Sequence, residues 1–276
     1  MKKTISVIIP VYNEENSITA CLTTLFNQTQ KAAEIIIVND GSTDSTVFLV
    51  KEFPVKVLSQ AHKGPGAARN LGAKQAIGEI LVFVDADMTF DENFLKELVA
   101  PILSGKTKGV FNTSEYVSNF DNVWAKCWNF NQNLYTNLRL NPKSREESED
   151  FRAITKSEFD RVGGFSLTGY MDSRTLVGKL DYRPMPVENA ISYHANPSSL
   201  GEIYRQARWI GRRKMKLGPV GQIINLVRYS APFSIIFGTL KAVRTAIPEF
   251  FVFKPVYDLG FFSGTLTSLL GGTSAR

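Results

Sequence analysis

Residues 80–87 read ILVFVDAD: five apolar residues, three of them β-branched, and then Asp85 and Asp87 on either side of an alanine. Such a run is typical of a strand covered on both faces, as in the middle of a parallel sheet. Ligands of open α/β sheets bind outside the carboxyl ends of the strands, and strand side chains two apart point the same way. The two carboxylates therefore predict a Mg²⁺ or Mn²⁺ site. A solvated turn at the strand end is the alternative.

The pattern around this stretch predicts an α/β fold. Strand-like and helix-like segments alternate four times with short connections, which is typical of a parallel sheet with right-handed crossovers. The other predicted strands cover residues 5–11, 34–40 and 55–59, and helical spacing follows at Ile18, Val47, Ala67 and Phe94. We therefore expect a doubly wound half-domain in residues 1–110.

Polar and aromatic side chains follow each predicted strand, on the same side of the sheet. A tyrosine ring such as that of Tyr12 can stack on a nucleobase, and Asp40 can accept a hydrogen bond from a base imide. Lys63 and Arg69 can hold phosphates. Each residue alone also fits an ordinary polar surface, but together they describe a nucleotide site. The set is Pro10, Tyr12, Glu14, Asn39, Asp40, His62, Lys63 and Arg69.

The sequence gives little support to two other interpretations, dinucleotide binding and nucleic-acid binding. Gly64-Pro65-Gly66 opens a helix as a dinucleotide-binding motif does, but it follows the third strand and lacks the third glycine. The net charge of +6 indicates anionic partners, namely phosphates, an acidic lipid surface or nucleic acid. We expect no nucleic-acid partner, because no recognition motif accompanies the charge.

The composition indicates a folded protein of a reducing compartment. Of 276 residues, 43% are hydrophobic, and the two cysteines, Cys21 and Cys127, fall in apolar helical patterns. We expect both to be buried free thiols. The N-terminal stretch reaches Pro10 and Asn13 too early for a signal peptide, so a cytoplasmic protein is expected.

Four motifs in order resemble those of the inverting glycosyltransferases of family 2: SVIIPVYNEE (6–15), VNDGSTD (38–44), KGPGAARNLG (63–72) and VFVDAD (82–87). The resemblance implies the GT-A fold, a Rossmann-like doubly wound mixed sheet, and a UDP- or GDP-sugar in its crevice. It implies that Asp40 reads the base, with Tyr12 and Glu14 beside it. Asp85 and Asp87 would serve the ribose and a Mn²⁺ or Mg²⁺ cofactor.

The resemblance also implies roles in the second half of the chain. Asp172, in GYMDSRTLVGKL, stands where the family has its catalytic acid, although Met171 replaces the glutamate that commonly precedes it. A helix N-cap is the alternative role for Asp172. His194 follows a strand-like segment and would complete the metal shell, or else is structural. Arg208 and Trp209, in QARWIGRR, resemble the end of the family's QxxRW element and would bind the donor. Only one residue separates Gln206 from Arg208, where the family element has two.

The predicted domains are a catalytic domain over 1–217, with an acceptor half from 111, and an apolar helical region over 218–276. Residues 123–140 are expected to be one helix whose Trp124, Trp128 and Tyr135 pack in the core, or stack on a sugar or lipid if exposed. In the C-terminal region charges interrupt every long apolar run, so no spanning helix is expected. The region either lies in a membrane interface, as we expect, or forms a helical collar or an oligomer contact.

The function expected from the sequence is metal-dependent inverting transfer of a sugar from a nucleoside-diphosphate sugar to a glycan or lipid-linked acceptor. It fits biosynthesis of a cell-envelope glycan by a peripheral protein on the inner face of the cell membrane. A polyprenyl-phosphate sugar synthase is the alternative within the same class. A non-catalytic nucleotide-sugar-binding module is the alternative from another class, and the intact aspartates argue against it.

Overall fold

The computed structural model describes residues 3–140, 148–167, 174–213 and 218–271. The chain divides into two compact units. The first consists of residues 1–116 and 140–194, and the second of residues 117–139 and 195–276. These limits differ from the predicted boundaries after residues 110 and 217.

Within the described residues, the first unit is built on one eight-stranded mixed sheet in the order β3-β2-β1-β4-β7-β6-β8-β5. Strands β1 to β4 are parallel neighbours, whereas β7 runs antiparallel to both β4 and β6, and β5 antiparallel to β8. The strands are β1 (Ile5–Val11), β2 (Glu34–Asn39), β3 (Lys56–Ser59), β4 (Ile80–Phe83), β5 (Met88–Phe90), β6 (Gly109–Val117), β7 (Ala153–Thr155) and β8 (Met185–His194).

Helices cover both faces of this sheet, as predicted for a doubly wound fold. Those of the first unit are α1 (Ile18–Phe26), α2 (Thr46–Val50), α3 (Pro65–Gln75), α4 (Phe94–Leu103), α6 (Lys156–Arg161) and α7 (Thr175–Leu180). Alternate residues of β1 explain the two cores, because Ile9 faces α1 and α4 while Ile8 faces α3. At Gly72 a Cβ atom would lie 2.5 Å from Ile8 Cγ2, so only glycine lets α3 lie this close to the sheet.

The strand predicted to contain the two aspartates is shorter than expected. It ends at Phe83, and Asp85 and Asp87 lie in a turn that leads into β5. The backbone N–H of Met88 donates to the carbonyl oxygen of Asp85 over 3.3 Å. The argument from strand alternation was therefore wrong, and the two carboxylates contact different partners.

The second unit is helical, and its helices are α5 (Val123–Asn131), α8 (Leu200–Gly211), α9 (Gly218–Arg228), α10 (Ala231–Thr245) and α11 (Phe250–Leu269). The prediction of one helix to residue 140 was wrong: α5 ends at Asn131. The side-chain amide of Asn129 donates to the carbonyl oxygens of Thr136 and Leu138, and Asn133 has a positive φ of 62°. These contacts hold residues 132–138 in a loop against the helix end.

Of the aromatic residues predicted to pack in the core, Trp128 is buried and Trp124 partly buried, whereas Tyr135 is exposed. The packing partners of Trp128 are the C-terminal helices. It is buried with Ile203, Phe250 and Phe253, and its ring centroid lies 5.4 Å from that of Tyr257. Both cysteines are buried free thiols, as predicted.

Helix α11 packs closely on α8 through glycines. A Cβ atom at Gly264 would overlap the carbonyl group of Arg208, and one at Gly260 would lie 2.6 Å from the carbonyl oxygen of Tyr204. This contact explains why α8 belongs to one compact unit with the C-terminal helices. Among the described helices none is by itself long and apolar enough to cross a membrane, whereas α9 and α10 pass that test as a pair bent by 62°.

Candidate active site

Charged side chains from five elements of the first unit form a continuous chain of contacts. Helix α3, the turn after β4, strand β6, the residue before β7 and the last residue of β8 each bring at least one. In order of contact they are Arg69, Asp85, Arg152, Glu115, His194 and Asp87. Opposite charges alternate along most of this series of contacts, so each side chain is oriented by its neighbours.

Asp85 is held between two arginines. Arg69 Nη2 lies 2.6 Å from Asp85 Oδ1, and Arg152 Nη1 lies 3.9 Å from Asp85 Oδ2. Desolvation raises the pKa of Asp85, but the two guanidinium groups outweigh it and lower that pKa to about 2. Asp85 was predicted as a metal and ribose ligand and Arg69 as a phosphate ligand; here the two side chains bind each other.

Asp87 and His194 are in contact at the end of this series, where the Asp87 side chain is exposed. His194 Nε2 lies 2.6 Å from Asp87 Oδ2, and His194 Nδ1 lies 3.3 Å from Glu115 Oε1. The Asp87 side chain is 44% exposed and that of Glu115 only 10%. One ring nitrogen therefore faces the accessible carboxylate, while a buried carboxylate fixes the orientation of the ring.

The residues present fit a divalent cation. Imidazole nitrogen and carboxylate oxygen are ligands for Mn²⁺, and a carboxylate on the other nitrogen is the usual support of a ligating histidine. The described residues contain no cluster of three or more His, Cys, Asp or Glu side chains that could hold a metal. Asp87 and His194 would thus provide two ligands and leave the other positions to water and substrate phosphates, as is common for Mg²⁺ and Mn²⁺ sites.

Glu14 adds a further acidic group beside the two aspartates. Its backbone N–H donates to Thr46 Oγ1 over 2.7 Å, and its carboxylate accepts from Ser17 Oγ over 2.7 Å. Burial is the main cause that raises the pKa of Glu14 to about 7; Ser17 lowers it, and the charges of Asp87 and Asp85 raise it further. The site thus holds more carboxylates than arginines, an excess that a bound cation would neutralise.

Asp40 holds the loop before α3 rather than facing an open crevice. Its buried carboxylate accepts hydrogen bonds from the Gln60 amide and from the backbone N–H groups of Lys63 and Gly64, over 2.7–2.8 Å. His62 Nδ1 lies 3.0 Å from Asp40 Oδ2, and the ring of Tyr12 lies 4.2 Å from that of His62. Base recognition by Asp40 therefore requires one of these protein donors to be exchanged for the base.

The remaining predicted residues are placed as follows. Pro10 lies in β1 opposite Val38, and the Lys63 side chain is exposed. Arg208 is exposed on α8 and Trp209 is half-buried there under the guanidinium group of Arg213, in the second unit. Asp172 lies outside the described residues.

Sequence reasoning missed Arg152 and Glu115. Arg152 donates to Asn112 Oδ1 over 3.0 Å and to the carbonyl oxygen of Phe83 over 3.3 Å, and its Nη2 lies 3.7 Å from Glu115 Oε2. The sequence contains one feature that could have indicated these residues, the polar run NTSE at residues 112–115. It lies inside β6, and all four residues are buried. Four consecutive buried polar residues in a strand indicate polar partners inside the protein.

The family model described as "Glycosyl transferase family 2" matches residues 6–167, which is more than half of the chain. The chain therefore belongs to glycosyltransferase family 2, as the ordered motifs predict.

Known proteins resemble it as follows. Glycosyltransferase GlyA of Streptococcus pneumoniae is 34% identical over 149 residues, which are 49% of this chain and 21% of that protein. The mannosyltransferase PcManGT of Pyrobaculum calidifontis, solved with GDP-Man and Mn²⁺, has a TM-score of 0.63 at 17% identity, covering 98% of this chain and 88% of that one. S. aureus TarS, solved with UDP-GlcNAc, has a TM-score of 0.58 at 17% identity, covering 98% and 92%. These two structures confirm the predicted GT-A fold. The chain spans about a fifth of the length of GlyA.

The raised pKa of Glu14 predicts a pH dependence of stability. The folded protein binds the Glu14 proton more tightly than the unfolded chain, so this carboxyl lowers the stability as pH rises from about 4.5 through about 7. In EDTA, Glu14→Gln should therefore gain ~1–3 kcal/mol over the wild type between pH 4.5 and pH 8, since one pKa unit corresponds to about 1.4 kcal/mol. Urea unfolding at several pH values measures this gain. The exposed Glu92→Gln is the control, and a gain that does not change with pH would contradict the assignment.

Proposed function

We propose that this chain transfers a sugar from a UDP- or GDP-sugar to a glycan or lipid-linked acceptor, with inversion at the anomeric carbon and with Mn²⁺ or Mg²⁺ as cofactor. The observation that carries the metal dependence is the Asp87–His194 pair, supported by Glu115 from behind. Family membership and the GT-A fold support the reaction class. The nucleotide sugars bound to PcManGT and TarS support the class of donor.

The side chains of the first unit have separable tasks in this proposal. Asp87 and His194 hold the cation, and Glu115 fixes the His194 ring. A divalent cation bound there supplies positive charge that stabilises the leaving diphosphate. Arg69 and Arg152 keep Asp85 ionised and in place, where it can accept hydrogen bonds from a ribose.

The chemical step needs one base. The acceptor oxygen forms a bond to the anomeric carbon while the bond from that carbon to the diphosphate oxygen breaks. The hydroxyl proton passes to a carboxylate, which we assign to Asp172 on the family resemblance. Because the nucleophile attacks opposite the leaving group, a single displacement inverts the anomeric centre.

A polyprenyl-phosphate sugar synthase is the second candidate, and a specific observation favours it. The second unit exposes large apolar side chains on α9 and α10, including Ile223, Ile236 and Leu240. Such a surface suits a protein that meets an acceptor carried by a membrane lipid. Both candidates place the protein on the cytoplasmic face of a membrane, and acceptor assays with a polyprenyl phosphate separate them.

The metal dependence is tested with Asp87→Asn, which keeps the size of the side chain and removes its charge. We expect the affinity for Mn²⁺, measured by calorimetry, and Mn²⁺-dependent donor turnover both to fall by on the order of 10²-fold. Asp160→Asn, at an exposed residue paired with Lys156, is the control. Turnover that persists unchanged in EDTA would contradict a metal-dependent reaction. Donor binding without any turnover would instead favour the non-catalytic module.

The assignment of the base is tested with Asp172→Asn. This nearly isosteric change should leave folding and donor binding intact while kcat for transfer falls by roughly 10²–10⁴-fold, the usual contribution of a general base. Glu188, exposed on β8, is the next candidate. A variant that retains the wild-type kcat would exclude Asp172 as the base.

A further inference from the structure

Helix α10 has the reverse of the residue distribution of a water-soluble helix. The residues that it buries are small: Ser234, Gly238 and Ala242, one helical turn apart. At Gly238 a Cβ atom would lie 3.1 Å from the carbonyl oxygen of Phe250, so α10 packs on α11 through this small-residue face. The large apolar residues point outward instead: Phe233, Ile235, Ile236, Phe237, Leu240 and Val243 are all exposed.

Helix α9 continues this exposed apolar surface. Its exposed side chains include Val220, Ile223, Ile224 and Val227, each more than half accessible. An exposed apolar surface of this extent marks an interaction site. We call the exposed faces of α9 and α10 together the apolar face.

A pocket rich in cations lies in the same unit. It has a volume of about 280 Å³, and among its lining residues are Arg228, Tyr229, Phe237, Lys241, Lys254 and Tyr257. Arg228 ends α9, Lys241 lies on α10 and Lys254 on α11, so the pocket is built where the three helices come together. Phe237 belongs both to this lining and to the apolar face.

The charges of the pocket favour an anion. Lys254 is paired with the buried Asp258, whose carboxylate also interacts with Arg228, and none of the described residues that line the pocket is acidic. Lys241 Nζ donates to the carbonyl oxygen of Phe130 and to Asn133 Oδ1, which are both neutral acceptors. Desolvation, followed by the charges of Lys254 and Arg244, lowers the pKa of Lys241 to about 8. A bound anion would relieve this repulsion.

Aromatic rings hold the cations in place. Lys254 Nζ lies 5.4 Å from the ring centroid of Tyr229 and 5.6 Å from that of Tyr257, and Arg228 lies 5.8 Å from Tyr229. Contacts of this kind restrain long side chains without neutralising their charge. The pocket therefore presents positive charge beside an apolar surface.

We propose that this pocket binds the phosphate of an anionic membrane lipid while the apolar face lies in the interfacial layer of the same bilayer. Charge complementarity favours this occupant. A lipid carries a phosphate next to apolar chains, and the pocket has the cations Arg228 and Lys241 next to the apolar Phe237. In this proposal α9 and α10 do not cross the bilayer. If they did, Arg228, at the break between the two helices, would lie in the hydrocarbon region, where burying a charge is costly. The inference does not depend on the reaction proposed for the first unit.

Flotation of the full-length chain with vesicles tests this site. The wild type should float with vesicles of phosphatidylcholine and phosphatidylglycerol, and poorly with phosphatidylcholine alone. Arg228→Gln combined with Lys241→Gln should lower partitioning to the anionic vesicles by roughly 10- to 30-fold, as expected for two cations near a lipid phosphate. Because Lys241 also holds the loop after α5, Arg228→Gln alone, at an exposed helix end, is tested as well and should lose several-fold.

The matched control removes two exposed cations of the first unit, in Lys51→Gln combined with Lys96→Gln. An equal loss of vesicle partitioning in this control would show diffuse charge attraction and would overturn the proposal that the pocket binds lipid. Ile236→Glu combined with Leu240→Glu should abolish flotation if the apolar face enters the interface. Inorganic phosphate should not release the wild type; complete release would mean that the pocket takes free phosphate. A wild type that stays off vesicles and forms dimers by light scattering would make the apolar face a contact between copies.

Discussion

The arrangement of the candidate site depends on the guanidinium group of Arg152. This side chain is 12% exposed and lies between Asp85 and Glu115, while it also donates to Asn112 and to the carbonyl oxygen of Phe83. Removing one partner from a buried charge network leaves the others desolvated and unpaired, which is far more costly than never forming it. The turn after β4, strand β6 and the residue before β7 are therefore tied together by one group. Through Glu115 the same group orients His194, and through His194 it reaches Asp87.

The fold could be predicted because its signals are local. Apolar runs with short connections define β1 to β4 and their helices, and the structure has all of them at nearly the predicted positions. The mixed sheet and the GT-A class followed from the resemblance of the ordered motifs, and the strand pairing and the structural neighbours confirm them. The meeting of Asp87 and His194, 107 positions apart, could be expected only through the family resemblance. Periodicity alone contains no information on which distant strands become neighbours.

The parts that could not be predicted depend on contacts between distant residues. Arg152 looks like any polar residue before a short strand, and its role appears only when β7 pairs between β4 and β6. Asp40 has the residue type of a base-reading group, but the folded loop at 60–64 supplies three donors to its carboxylate and places His62 Nδ1 3.0 Å from it. The end of α5 was missed for a local reason, because the Asn129 side chain competes for the backbone of the next turn. In the second unit, composition indicated an apolar region, but only packing reveals that α10 buries its small residues and exposes its large ones.

The central claim, that Arg152 positions the proposed metal ligands Asp87 and His194, is tested most directly by the Mn²⁺ affinity of Arg152→Lys. This change retains the positive charge and removes the planar fork that contacts two carboxylates at once. With Mn²⁺ alone as the probe and electron paramagnetic resonance as the measurement, affinity should fall by about 10- to 100-fold, as for other groups that orient a metal ligand. Arg161→Lys, at an arginine whose side chain is 54% exposed, should bind Mn²⁺ like the wild type. A folded Arg152→Lys protein with wild-type Mn²⁺ affinity would contradict the account.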